Sequence, residues 1–209
     1  MIDPKKKWAF VSDYARFWIL YNYGGLYFDT DVEVIKDMSE IIKRGAFMGC
    51  EAENTCNPGL GLGVAPGHRL YKMILEYYSK LHFINQDGSI NEHTVVEYIT
   101  EILRKYGFVN GDEIQFVAEI YIYPKEYFCP LDYSTGKLNI TKKTVSIHHY
   151  AASWHSILDD WIVKIERSKS KSPIEMKIRR GISLPFRAAN KIQKNGLKNT
   201  LKFIEHKAK

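Results

Sequence analysis

The sequence predicts a single α/β domain followed by a basic helical tail. The chain has 209 residues, of which 45% are hydrophobic and 13% aromatic, enough to bury one core. Segments whose apolar residues recur at a helical period alternate with segments of period two, which are typical of strands. Clusters of glycine and proline separate these segments. Together these observations favour an α/β architecture.

The first predicted elements flank a short acidic sequence. A helical apolar period over 8–22 predicts a helix, and Gly24 with Gly25 would end it. The stretch 23–34, YGGLYFDTDVEV, alternates apolar residues with tyrosine or carboxylate residues, so it predicts a strand with three carboxylates on one face. These carboxylates belong to Asp29, Asp31 and Glu33.

The remaining elements alternate in the same way. They are a strand over 45–51, a helix over 68–81, a turn over 85–91, a helix over 94–106 and strands over 114–123 and 137–150. Gly107 is placed to end the second of these helices.

Cysteine usage and hydropathy indicate the compartment. The chain has three cysteines and no CxxC pair, which predicts neither a disulfide framework nor a zinc site. No apolar run approaches the roughly 20 residues that span a bilayer, and the N-terminus lacks the apolar core of a signal peptide. We therefore expect a cytoplasmic protein in a reducing environment.

The net charge of +6 is unevenly distributed. Residues 161–209 hold 14 Lys and Arg and 3 Asp and Glu, which gives this segment a net charge of +11. Residues 1–160 hold 16 Lys and Arg and 21 Asp and Glu, which gives a net charge of −5. A nucleic-acid-binding domain would instead carry basic residues across its folded face. We expect no nucleic-acid partner.

The clustered carboxylates at 29–33 require an explanation, because like charges repel unless a cation or a donor relieves them. An EF-hand calcium loop starting at Asp29 would have Val34 where the turn needs glycine and Lys36 where an apolar residue normally packs. A solvated strand face is the other general alternative, and it leaves the repulsion unrelieved.

A divalent-metal and nucleotide-sugar site explains the carboxylates together with their neighbours. Asp13 and Arg16 lie at i and i+3 on one helix face. The pattern Ser12-Asp13-x-x-Arg16, followed by Tyr23-Gly24-Gly25-x-Tyr27-x-Asp29-x-Asp31, resembles the DXD glycosyltransferases of family 32. This capsular-polysaccharide and mannosyltransferase-like group includes the glucosyltransferase domain of large clostridial toxins. The similarity covers roughly residues 5–160 and continues through 47–51, 87–89, 123–128 and 148–154.

The resemblance implies a GT-A-like fold over residues 1–160 and retaining transfer of a sugar from a nucleotide sugar, with UDP-sugars favoured. The acceptor would be a saccharide in the biosynthesis of capsule, exopolysaccharide or lipopolysaccharide. It also implies Mn²⁺ or Mg²⁺ as cofactor, which neutralises the leaving diphosphate. Oxygen ligands suit both ions, and an added imidazole favours Mn²⁺.

Site residues follow from the same resemblance. Asp29, Asp31 and Arg16 would be catalytic, with Asp29 at the ribose or donor sugar and Asp31 as principal metal ligand. Asp13 and Arg16 would fix the donor sugar and diphosphate. Glu51 is a further candidate for donor binding, and a surface acid at a strand end is an equally open interpretation.

The closing sequence HHYAASW would supply an imidazole. His148 and His149 follow an alternating strand and point to opposite faces, so at most one can join Asp31. The spacing from His149 to Ser153 and Trp154 is similar to that of related retaining transferases. It implies His149 as a metal ligand, with the other two residues at the donor phosphates.

Two features leave alternatives open. Family members usually begin with a further nucleotide-binding segment, so the resemblance implies an N-terminally incomplete domain. The alternative to an enzyme is a catalytically incompetent remnant or a non-catalytic partner subunit.

In the predicted tail domain, 161–209, basic residues form one helical stripe. A peripheral membrane contact at the inner leaflet is one interpretation, and a solvated tail is the other.

Overall fold

The computed structural model describes residues 4–82, 91, 93–133 and 135–150, and for residues 4–10 it describes the backbone. Several predicted features lie outside the described residues: Ser153, Trp154, most of the turn over 85–91 and the basic tail. Residues 8–131 and 138–150 form one compact unit. In the other unit, Asp132 Oδ1 accepts hydrogen bonds from the backbone N–H and hydroxyl of Thr135.

The described residues form a mixed α/β fold. Its helices are α1 (Pro4–Tyr23), α2 (Ser39–Arg44), α3 (Arg69–Tyr78), α4 (Val95–Lys105) and α5 (Lys125–Phe128). Its strands are β1 (Gly25–Tyr27), β2 (Val32–Val34), β3 (Phe47–Ala52), β4 (Thr55–Cys56), β5 (Leu62–Val64), β6 (Gln115–Val117), β7 (Ile120–Tyr123) and β8 (Ser146–His148). No helix in the described part of the chain combines the length and apolar character needed to cross a membrane.

A central mixed sheet organises these elements. Its strand order is β1-β5-β3-β7-β6, and β4 pairs with β3. Strands β3 and β7 are parallel, with Phe47 opposite Tyr121, while the other neighbours pair antiparallel. A separate two-stranded sheet joins β2 to β8 and places Val32 opposite His148. The predicted α/β class is therefore confirmed.

The central strands bury side chains on both faces. Phe47 and Met48 are adjacent in β3 and belong to different core clusters, as the period of a strand requires. On one face, Phe17 of α1 packs edge-on against Tyr71 of α3, with ring centroids 5.5 Å apart. On the other, Phe47 stacks on Phe128 at 5.7 Å. Helix α1 is thereby fixed against the sheet.

Local signals in the sequence position the helices. Gly24 ends α1 with a φ of +66°, and a β-carbon there would collide with Pro66 and the carbonyl of Val64. Helix α4 begins with a capping box between Thr94 and Glu97. The sharp turn at Gly24 leads directly into β1 and hence into the acidic sequence.

Three predicted strands are wrong in extent. The stretch 23–34 is broken between β1 and β2, because the Asp29 N–H donates to Gly59 and the Val32 N–H turns back to Asp29. The segment 114–123 is the β6–β7 hairpin, which turns at Ala118 and Glu119 with positive φ. Within 137–150, only Ser146–His148 pairs as a strand.

Candidate functional site

The loop between β1 and β2 presents the two aspartates and is held from both sides. The Asp29 N–H donates to the Gly59 carbonyl at 2.9 Å, and the Asp29 carbonyl accepts from the Val32 N–H at 3.0 Å. The Asp31 carbonyl accepts from the His149 N–H at 2.9 Å. These backbone hydrogen bonds fix the main chain of both aspartates independently of their side chains.

Three side chains converge on one point beside this loop. Asp29, Asp31 and His148 each offer a potential ligand atom, and these atoms lie within 4.8 Å of one another. His148 Nε2 is 3.2 Å from Asp31 Oδ1, and the two side chains are only 7% and 10% exposed. Two carboxylates and an imidazole are a donor set that suits Mn²⁺ and also accepts Mg²⁺.

The environment of His148 fits such an ion. Although Nε2 lies close to Asp31, the approach does not have hydrogen-bond geometry, and neither buried ring nitrogen has a hydrogen-bond partner among the described residues. Leaving buried polar atoms unpaired costs free energy. A divalent cation held between His148 and the carboxylates would give one of these nitrogens a partner and relieve the repulsion between Asp29 and Asp31.

The imidazole beside Asp31 is that of His148, whereas the sequence favoured His149. His149 does not join Asp31: its Nε2 lies 2.8 Å from Glu33 Oε2, and the pair is exposed. The reason is the turn before β2. Val32 pairs with His148, so a continued strand would set Asp31 beside His149, but Asp31 lies in the turn and its carboxylate approaches His148 instead. Glu33 likewise points away from the two aspartates, contrary to the expectation of three carboxylates on one face.

Arg16 connects helix α1 to the loop. The side chain is 7% exposed and reaches Asp13 Oδ1 at 2.9 Å and Asp29 Oδ1 at 3.3 Å through different terminal nitrogens. Its guanidinium carbon lies 4.8 Å from the centroid of the Tyr27 ring. The Tyr27 hydroxyl donates to Asp29 Oδ1 at 2.8 Å. Asp29 is therefore oriented by a cation and a phenol together.

Burial changes the protonation of this group. It raises the pKa of Asp13 to about 6, an effect that Arg16 opposes and the charge of Asp29 reinforces. Burial also raises the pKa of Tyr27, against the influence of Arg16, so the phenol stays protonated and able to donate. Near neutral pH the arrangement contains an ionised Asp13 beside Arg16.

Glu51 reaches the loop indirectly. Its Oε2 accepts from the Asn57 side-chain amide at 2.8 Å, and Asn57 Oδ1 accepts from the Gly59 N–H, also at 2.8 Å. Gly59 in turn packs so tightly against Asp29 that a β-carbon at residue 59 would collide with its carboxylate. Glu51 thus buttresses the Asp29 loop through Asn57 and Gly59.

Sequence reasoning gave no role to Asn57, Gly59 or Tyr27. The sequence Asn57-Pro58-Gly59 indicated a loop, and Tyr27 was part of the motif, but nothing in the sequence pattern places the loop against Asp29. Ser153 and Trp154, expected at the donor phosphates, lie outside the described residues.

The fold and the site define a mixed α/β protein with a carboxylate–histidine cluster beside a buried arginine. Residues 3–48 match the family model described as glycosyltransferase sugar-binding region containing DXD motif. The match spans α1, Arg16 and both aspartates, and over these residues it confirms the predicted resemblance to the DXD glycosyltransferases. Comparisons with curated proteins and with solved structures gave no match.

Proposed function

We propose that this chain is a metal-dependent glycosyltransferase of GT-A-like fold, which transfers a sugar from a nucleotide sugar to a saccharide acceptor in polysaccharide biosynthesis. The observation that carries the proposal is the convergence of Asp29, Asp31 and His148 within and beside a matched sugar-transferase region. UDP-sugars are the favoured donors by resemblance.

Asp29, Asp31 and His148 would hold the Mn²⁺ or Mg²⁺, which supplies positive charge for the diphosphate leaving group when bound. Asp31 is the principal ligand in this proposal. Asp29 would serve both the ion and the donor, with Arg16 and Tyr27 holding its carboxylate in place through Oδ1.

Arg16 and Asp13 would orient the donor. A guanidinium fixed by two carboxylates presents its donors in one geometry, so little entropy is lost when it contacts an oxygen-rich sugar or diphosphate. This positioning, together with charge stabilisation, suits a retaining transfer in which the acceptor attacks from the face that the nucleotide leaves. No protein nucleophile is required.

Residues 161–209 would hold the enzyme near its acceptor. Their net charge of +11 favours an anionic membrane surface, to which each nearby Lys or Arg contributes roughly 1 kcal/mol. We propose a domain over 1–160 and a peripheral membrane contact through this tail. Co-sedimentation with anionic liposomes should fall with rising salt and disappear on truncation after Ser168. Binding that survives truncation would remove this part of the proposal.

The activity is tested with a panel of nucleotide sugars incubated with the chain and Mn²⁺, with hydrolysis as the readout. We expect release of the nucleoside diphosphate from one donor class, and its loss in Asp31→Asn. The matched control is Glu40→Gln, because Glu40 is 89% exposed and pairs with Lys43. Absence of hydrolysis across the panel, or equal rates in Asp31→Asn and wild type, would contradict the proposal.

A further inference from the structure

Two cysteine thiols face each other in the β3–β4 hairpin. Cys50 and Cys56 are cross-strand partners, and their sulfur atoms lie 3.5 Å apart. Both side chains are buried. Each is followed by a residue of the Asp29 buttress, because Glu51 succeeds Cys50 and Asn57 succeeds Cys56. The sequence has no CxxC pair and therefore predicted no disulfide. The fold nevertheless brings the thiols of Cys50 and Cys56 together, although they are six residues apart.

The register of the hairpin favours a bond between these sulfurs. The Asn57 N–H donates to the Gly49 carbonyl at 3.0 Å, while the N–H and carbonyl of Cys56 bond to the Thr100 hydroxyl instead of to Cys50. The two cysteines therefore form a non-hydrogen-bonded pair, the type in which facing Cα atoms are about 4.5 Å apart. This lies within the range of about 4.4–6.8 Å that disulfides span.

We propose that Cys50 and Cys56 are an oxidation site, which closes to an intrachain disulfide when the protein meets a small-molecule disulfide. One cysteine thiolate attacks the oxidant to give a mixed disulfide and releases one thiol. The other thiolate attacks the cysteine sulfur of this mixed disulfide, forms the 50–56 bond and releases the second half of the oxidant as a thiol. The cysteines lose two electrons, the oxidant gains them, and the two cysteine protons end on the released thiols.

Access to the site requires the hairpin to open. Hydrogen bonding to Cys50 and burial both raise the pKa of the Cys56 thiol, so attack from the closed hairpin is slow. Strand β4 has two residues and pairs with β3, which makes local opening of this segment less costly than opening of the central strands. After closure, the sulfurs have moved together by about 1.5 Å, to the bond length of about 2.05 Å.

The third cysteine provides a control. Cys129 belongs to the other core cluster, and its sulfur lies 3.0 Å from the Tyr150 hydroxyl. A Cys129→Ala chain therefore keeps the pair and removes competing disulfides. Cys50→Ser keeps the shape of the hairpin and removes one partner.

The test exposes the folded 209-residue Cys129→Ala chain to oxidised glutathione, followed by alkylation under denaturing conditions and mass spectrometry. We expect a loss of about 2 Da and of both alkylations, from release of two hydrogens. Trypsin leaves both cysteines on the peptide 45–69, so cleavage after Glu51 and Glu53 is needed, and the resulting fragments should remain joined until reduction.

Two outcomes would overturn the proposal. One is that both thiols of the folded chain still react with the alkylating reagent after exposure to oxidised glutathione, under conditions in which the denatured chain forms the disulfide. The other is accumulation of glutathione mixed disulfides at both positions without a 50–56 bond. Cys50→Ser should give no internal bond, and wild-type chain should link residues 50 and 56 in preference to either with Cys129. The readout is independent of sugar transfer.

Discussion

Gly59 lies directly against the carboxylate of Asp29. The Asp29 N–H donates to the Gly59 carbonyl at 2.9 Å, and there is no room for a β-carbon at residue 59 beside Asp29 Oδ2. The contact requires glycine for space, since Gly59 does not adopt the left-handed conformation. The position of one DXD carboxylate therefore depends on a loop some thirty residues further along the chain.

Gly59→Ala should displace Asp29 and weaken Mn²⁺ binding by about tenfold, as changes to outer-shell partners of metal ligands do. It should also destabilise the fold by roughly 1–3 kcal/mol through overpacking. Calorimetric titration and urea denaturation measure the two effects. Gly111→Ala is the matched control, because its β-carbon would meet nothing closer than 3.9 Å. Equal behaviour of the two variants would show that the contact does not position Asp29.

Arg16→Lys tests the bridge between Asp13 and Asp29. A lysine keeps the charge but cannot present two separate nitrogens to two carboxylates, so we expect a loss of roughly 2 kcal/mol in stability. Nucleotide-sugar hydrolysis should fall as well. Arg104→Lys is the control, because exposed Arg104 donates to a backbone carbonyl, that of Asn54, instead of to a carboxylate pair. If the two lysine variants lose the same stability, the bridge has no special role.

The raised pKa of Asp13 predicts a pH-dependent stability difference between wild type and Asp13→Asn. Between the ordinary value of 3.8 and the folded value of about 6, the folded chain binds the proton more tightly than the unfolded chain. Wild-type stability relative to the variant should therefore be greatest below pH 4 and decline by roughly 2–3 kcal/mol as pH rises to 6.

Urea denaturation of both chains at several pH values measures this difference. Subtracting the two free energies of unfolding removes the contribution of the titratable groups that both chains share. Nucleotide-sugar hydrolysis by the wild-type chain should increase as pH rises over the same range. The reason is that the ionised form of Asp13 holds Arg16 by a charge-assisted bond. A stability difference that is flat from pH 4 to 7 would contradict the assigned burial of Asp13.

Local periodicity predicted α1, α3 and α4, because their signals are contained within each segment, but it did not predict the short helices α2 and α5. The i, i+3 spacing of Asp13 and Arg16 predicted a pair on one helix face, and these side chains are 2.9 Å apart. The capping pattern at Thr94 likewise marks the start of α4. For such elements the helical period alone carries the information.

The errors arise where distant segments decide the structure. Alternation over 23–34 indicated one strand, but hydrogen bonds to Gly59 turn the chain at Asp29. The choice of His149 rested on spacing along the chain, whereas the turn at residues 30–31 takes Asp31 out of the strand and brings its carboxylate to His148. Neither the Gly59 contact nor this turn is visible in a single sequence.

The most direct test of the account is the Mn²⁺ affinity of wild type, Asp31→Asn, His148→Ala and His149→Ala, measured from the electron paramagnetic resonance signal of free Mn²⁺. We expect Asp31→Asn and His148→Ala to bind Mn²⁺ more than about 100-fold more weakly, since even outer-shell changes cost 10–100-fold. His149→Ala should resemble wild type, because its imidazole contacts Glu33. Equal affinities in all four chains, or loss only in His149→Ala, would contradict the assignment of Asp29, Asp31 and His148 as the metal site.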